Sequence, residues 1–175
     1  MSVATLPTCN TCDEAILRPG NTNCAGCGMS IGFQLFQQAL DHEPIMLVIP
    51  ACCGIVTAGA FPTSAYGVPT AASTFASSPA VASGLSTVAA LNDEKHPVVC
   101  WAGDGGTYDI GMATLSAAAE RNEDMIYVCY DNEIYGNTGG QRSSATPEDL
   151  VTSTSPRGKG EPKKDIMAIM AAHRI

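Results

Sequence analysis

Charge is scarce in this chain of 175 residues, of which only 15% are Asp, Glu, Lys or Arg. Basic residues are the rarer sign, nine against seventeen acidic, and the net charge of -8 leaves no basic footprint for nucleic acid. So little charge also suggests a surface partly covered by partners. Long apolar runs are missing too: no stretch approaches the ~18 consecutive residues of a membrane helix. Met1 to Asn10 lacks the basic and apolar segments of a secretory signal, so the expected compartment is the cytoplasm. What the chain has in plenty is cysteine, eight in all. Without an export signal these read as metal ligands or redox groups rather than as a disulfide framework.

The length suits one domain with a real core. Residues 1–20 are polar, with Pro7, Pro19 and Gly20, and are expected to be an irregular lead-in to a domain over 21–175. In 29–40, Ile31, Leu35 and Ala39 recur every four residues beside Phe36 and Leu40, which predicts a helix entered at Gly28. The apolar run 45–49 predicts a buried strand ended by Pro50. A long loop is expected over 51–76, rich in Gly, Pro, Ser and Thr, and then a small-residue helix over 79–91 with Pro79 in its first turn. Strands are expected at 98–102 and 125–130, flanking a helix over 109–122 with Asp109 as its N-cap. Strand, glycine loop, helix and strand make a βαβ unit, so the fold class is α/β, an open and mostly parallel sheet with helices on both faces. After Gln141 a polar loop runs to a last helix over 165–172, and the chain stops where a further unit is expected.

The most informative segment is Gly103-Asp104-Gly105-Gly106, which follows an apolar strand and precedes a helix. Ligands of open α/β sheets bind at the carboxyl ends of strands, where this loop falls. Glycines let backbone amides approach an anion, and Asp104 adds a hard oxygen that suits Mg²⁺. Twenty-six residues separate Gly105 from Asn132, enough for one helix and one strand to return the chain to the same edge. Asn132 then offers a second oxygen to the same ion.

The cysteines form a second constellation. Cys24-Ala25-Gly26-Cys27-Gly28 opens the first helix, and Cys52-Cys53 follows the first strand. Spacing alone leaves a zinc site, an iron–sulfur site and a redox pair open. Cys9 and Cys12 form another CxxC, either a spare thiol pair or an alternative ligand set. Cys100 and Cys129 fall in predicted strands and read as small apolar fillers.

GDGGTYDIG and YDNEIYGNTGGQRSSATP, with CAGCG near the start, resemble the pyruvate:ferredoxin oxidoreductases and other 2-oxoacid:ferredoxin oxidoreductases, specifically their β subunits. The resemblance implies a thiamine-diphosphate (PP-type) binding fold. It implies Mg²⁺ on Asp104, Asn132 and the Ile134 carbonyl, and cofactor contacts from Gly103, Gly105, Gly106, Gly136, Asn137 and Thr138. Asn137 matches the asparagine beside the thiazolium and is the expected catalytic residue, its amide facing the oxygen where charge develops. A [4Fe–4S] cluster is implied on Cys24, Cys27 and Cys53, with Cys52 as the alternative to Cys53 and a fourth cysteine further downstream.

The implied reaction is oxidative decarboxylation of a 2-oxoacid, pyruvate first, to an acyl-CoA, with electrons leaving through the cluster to ferredoxin. The implied partners are coenzyme A, an α subunit that brings a carboxylate to the aminopyrimidine ring, and a ferredoxin-like subunit. Branched-chain 2-oxoacids, oxalate and aryl glyoxylates are alternative substrates. A non-oxidative thiamine lyase and a non-catalytic electron-transfer module are the rival functions. Lys159, Lys163 and Lys164 read as a solvated basic loop, with the phosphates of coenzyme A as an alternative contact. His42, His96 and His173 read as surface or capping residues, and the Met-containing stretch 165–172 as core.

Overall fold

The structure, a computed structural model, describes residues 15–60 and 62–174; Cys9 and Cys12 lie outside the described residues. Strands β1 (Met46–Pro50), β2 (Thr70–Ser73), β3 (Val98–Gly103) and β4 (Ile126–Tyr130) form one parallel sheet in the order β2-β1-β3-β4. Successive side chains of a strand point to opposite faces. Leu47, Ile49, Val99 and Trp101 therefore share one face, where Met29 and Phe33 of α1 (Gly28–Ala39) cover them. Val48, Val98, Cys100 and Ala102 share the other and meet Ala82 of α3 (Ser78–Leu91). Full burial of Leu47, Ile49 and Val99 stabilises the sheet by about 1.5–3 kcal/mol for each side chain. With both faces covered, the central strands can be apolar throughout.

Two short elements interrupt the stretch expected as loop: α2 (Cys53–Thr57) and the edge strand β2. The sequence of β2, Thr-Ala-Ala-Ser, carries no apolar signal because an edge strand needs little burial. Its pairing with β1 is set by backbone hydrogen bonds.

The buried face of α1 also differs from expectation. Ile31 and Leu35 are 54% and 60% exposed, whereas Met29 and Phe33 are buried. Phe33 stacks on Trp101 with ring centroids 4.1 Å apart, and Gly32 leaves room for the same indole. Aromatic stacking beside a glycine notch outweighs the four-residue aliphatic repeat. Ile16, inside the stretch expected as lead-in, is buried in this same layer, and its N–H donates to Gln37 at 3.0 Å.

Asp109 does not cap a helix. Residues Gly105–Asp109 form a π-helical turn, and α4 (Met112–Glu120) starts after Gly111. A Cβ on Gly111 would overlap the Gly106 carbonyl oxygen, so the wide turn closes only with glycine there. Asp109 instead accepts hydrogen bonds from the Tyr135 hydroxyl at 2.7 Å and from Ser144. The polar stretch expected after Gln141 is tied down by these bonds and by a small hairpin, β5 (Ile134–Tyr135) with β6 (Gln141–Arg142). The last helix, α5 (Ile166–Ala171), is capped by Asp165, which accepts from Ala168 N–H at 2.9 Å, and it buries only Ile166. Met167 is 75% exposed, so that stretch is not core throughout.

The chain leaves β1 toward β2 on one side and then crosses to β3 on the other. The crevice between the carboxyl ends of β1 and β3 is therefore the switch point of the sheet, where loops diverge and ligands bind. Ala51–Cys53 leaves β1 there, and Asp104–Gly106 leaves β3. No helix among the described residues is long and apolar enough to cross a membrane.

Candidate functional site

Asp104 follows directly on β3 and is 2% exposed. Burial pushes its carboxyl up to about 6; the Ser143 hydroxyl, which donates to Oδ2, opposes that shift, and the nearby Asp131 adds to it. The other oxygen faces the loop after β4. There the Asn132 amide end stands 2.7 Å from Asp104 Oδ1 and 2.7 Å from the Ile134 carbonyl oxygen. Glu133, between them, adopts φ +65°, a left-handed conformation uncommon outside glycine.

Two orientations of the Asn132 amide are possible. With nitrogen inward it donates to both oxygens. With oxygen inward, three hard oxygens face one another, and only a cation holds them together. The spacing suits that cation, because adjacent ligands of octahedral Mg²⁺ are about 2.9 Å apart. In the oxygen-inward orientation Asn132 Oδ1 also accepts from the Ile134 N–H at 3.4 Å. Among the described residues Asp104 makes no ion pair, and a buried carboxylate without one fits the same ion. The donor set therefore fits Mg²⁺.

The glycine turn lies in a small cavity of about 110 Å³ shared with Asn132, Ile134, Gly136, Asn137 and Thr138. A Cβ on Gly105 would enter the Tyr135 ring, and one on Gly106 would stand 3.3 Å from the Phe75 ring. Gly103 plays a different part: a Cβ there would press on the Tyr130 ring, so it packs the end of β4. Asn137 and Thr138 are exposed on the cleft wall, and Thr138 donates to Gln141.

A larger cavity of about 710 Å³ adjoins the first. Cys24, Cys27 and Cys53 all line it, and Asn132, Gly136 and Asn137 line both cavities. All three thiols are free. Cys27 is the N-cap of α1 and Cys53 opens α2, so two elements on one face of the sheet bring them together. Among the described residues no group of three His, Cys, Asp or Glu side chains closes into a ligand set. The three thiols are of the ligand type an iron–sulfur cluster takes and share one cavity wall. Cys52 lines only the smaller cavity; it is buried, and burial pushes its thiol up. Cys129 is half-buried, packed against the Tyr108, Ala145 and Ile166 cluster as well as lining the same cavity, and burial pushes its thiol up to about 11. Cys100 is fully buried, as expected of an apolar filler.

Residues that the motifs did not single out complete the site. Ser143 orients Asp104, and Ser144 with Tyr135 and Lys164 holds the π turn through Asp109. Asp131 accepts from the Tyr108 hydroxyl at 2.9 Å and pairs with Lys163 at 2.7 Å. Lys159 is not in a solvated loop: it is 2% exposed and donates to the carbonyls of Ser144, Thr146 and Pro162. A cluster of hydroxyls beside an Asp-containing turn was the only signal for these roles, and it has no fixed spacing. His173 bonds to Ser116 at 2.8 Å and to the end of α5, a packing role.

A parallel sheet with a glycine turn and an inward carboxylate at its switch point is the architecture of a diphosphate-binding α/β domain. The chain belongs to the thiamine pyrophosphate enzymes, its residues 52–175 matching their C-terminal TPP binding domain. It is 43% identical over 169 residues to pyruvate synthase subunit PorB of Methanothermobacter thermautotrophicus, covering 93% of this chain and 58% of that protein. Ketoisovalerate oxidoreductase subunit VorB of Pyrococcus horikoshii is also 43% identical, over 167 residues, covering 89% and 53%. The chain thus spans little more than half the length of these curated relatives. Its fold matches the solved 2-oxoglutarate:ferredoxin oxidoreductase from Magnetococcus marinus, with a TM-score of 0.73 at 23% identity, over 87% of this chain and 51% of that one.

Proposed function

We propose that this chain is the thiamine-diphosphate-binding part of the β subunit of a 2-oxoacid:ferredoxin oxidoreductase that converts pyruvate and coenzyme A to an acyl-CoA. The observation that carries the reading is the convergence of Asp104, Asn132 and the Ile134 carbonyl beside a glycine turn. These three oxygens would hold Mg²⁺, and the turn at Gly105 and Gly106 would receive the diphosphate. Thiamine diphosphate, when bound, supplies the electron sink that decarboxylation of a 2-oxoacid needs. Asn137, on the wall shared by both cavities, would donate its amide to the substrate oxygen. Met29, Val56, Trp101 and Val128 give the larger cavity an apolar wall. Cys24, Cys27 and Cys53 would hold a [4Fe–4S] cluster within reach of the same loop. The carboxylate required at the aminopyrimidine ring would come from an α subunit, since Asp104 is committed to the cation. Electrons would leave through the cluster and a ferredoxin-like subunit to ferredoxin.

A branched-chain 2-oxoacid is the second reading, favoured by VorB relatives being as similar as PorB relatives. The test is anaerobic assay of the full-length subunit with its partners. Coenzyme A-dependent reduction of ferredoxin by pyruvate is expected, and faster turnover of 2-oxoisovalerate would choose the second reading. Calorimetry that finds no thiamine diphosphate binding by the assembled complex would remove both.

A further inference from the structure

Two adjacent cysteines follow β1, and their surroundings differ. Cys52 is 7% exposed, and its Sγ accepts a hydrogen bond from the Tyr130 hydroxyl at 2.8 Å. Cys53 is half-buried and lines both cavities. Its Sγ lies 3.7 Å from the point a Cβ on Gly136 would occupy, and Asn132 Nδ2 lies 3.2 Å from that same point. The sulfur and the cation-binding loop therefore flank one glycine.

Tyr130 sits where it can set that distance. It is the last residue of β4, two positions before Asn132. Besides donating to Cys52, its oxygen accepts from the Gly54 N–H at 3.2 Å. One phenol thus grips both chain neighbours of Cys53. The far side of Gly54 is held as well, because its carbonyl accepts from the Tyr66 hydroxyl at 2.5 Å. The ring itself fits because Gly103 has no side chain, a Cβ there standing 3.3 Å away. Thr57 fastens the next turn, donating to the Cys53 carbonyl at 3.0 Å.

We propose, on the cofactor reading above, that Tyr130 is a positioning residue. Its hydroxyl clamps Cys52 and Gly54, so that Cys53 alone of the vicinal pair lines the larger cavity beside Cys24 and Cys27, at a fixed distance from the Asn132 loop. The geometry gives the two cysteines separate work, Cys53 as ligand and Cys52 as anchor. Geometry and hydrogen bonding around ligand sulfurs tune the potential of a cluster, so the clamp acts on the electron acceptor without touching it.

The test uses the full-length subunit assembled anaerobically with its partners. Cys53→Ala is expected to lose one cluster's iron, whereas Cys52→Ser, which keeps a hydrogen-bonding oxygen, retains it. Tyr130→Phe keeps the ring and drops both bonds. It should keep full iron and a near-normal melting temperature, but shift the reduction potential and the electron paramagnetic resonance spectrum of the reduced cluster. A Tyr130→Phe complex with the wild-type potential and spectrum, in a background where Cys53→Ala has lost its iron, overturns the clamp. Loss of iron from Cys52→Ser overturns it too. Retention of all iron in both cysteine variants overturns the cluster reading itself, and the clamp with it.

Discussion

Replacing the buried carboxylate with its neutral isostere, Asp104→Asn, separates stability from function. Burial raises the Asp104 carboxyl from 3.8 to about 6 in the cation-free chain. A raised carboxyl means that the folded state holds its proton more tightly than the unfolded state does. Stability therefore falls as pH rises from about 4 through about 6, and the full cost is present at neutral pH. A shift of that size corresponds to about 3 kcal/mol.

Asparagine carries no charge, its oxygen can still accept from Ser143, and its amide nitrogen meets the Asn132 amide oxygen. Without Mg²⁺ and thiamine diphosphate, the variant should be about 2–3 kcal/mol more stable than the wild type at pH 7.5, with the gap closing toward pH 4. Saturating cofactor should reverse the order, because only the wild type gains binding energy, about 4.1 kcal/mol at a thousandfold excess over Kd. Urea unfolding of the chelator-treated full-length chain, followed by circular dichroism at several pH values, measures both effects. A variant less stable than wild type at pH 7.5 without cofactor, or a gap that ignores pH, would refute this account of Asp104.

Three further outcomes are expected. Ser143→Ala removes the hydroxyl that orients Asp104 and should weaken Mg²⁺ binding about 10- to 100-fold in calorimetry, with the fold intact. Gly105→Ala drives a methyl into the Tyr135 ring; it should cost about 1–3 kcal/mol in urea unfolding and weaken thiamine diphosphate binding, and Tyr135→Ala should recover part of the stability. Lys159→Met takes the ammonium donor from the Thr146 and Pro162 carbonyls, while Ser144 keeps the Lys164 N–H, and should cost about 2–3 kcal/mol, read as a lower melting temperature.

The sequence by itself determined the parallel α/β architecture, since apolar runs at 45–49 and 98–102 fit only strands covered on both faces. It also placed Asp104 and Asn132 at one sheet edge, because one helix and one strand between them leave the chain no other return. Those features are local or periodic, and a linear pattern carries them. Only the tertiary structure decided the rest. It turned Phe33 and Met29 of α1 inward, because a stacked ring on Trp101 outweighs an aliphatic repeat. It made Asp109 a brace rather than a cap, and it buried Lys159 among carbonyls contributed by distant loops. It also told Cys52 from Cys53 by the reach of a hydroxyl 78 residues away. Such contacts depend on where separate segments meet in space, and no spacing along the chain records that.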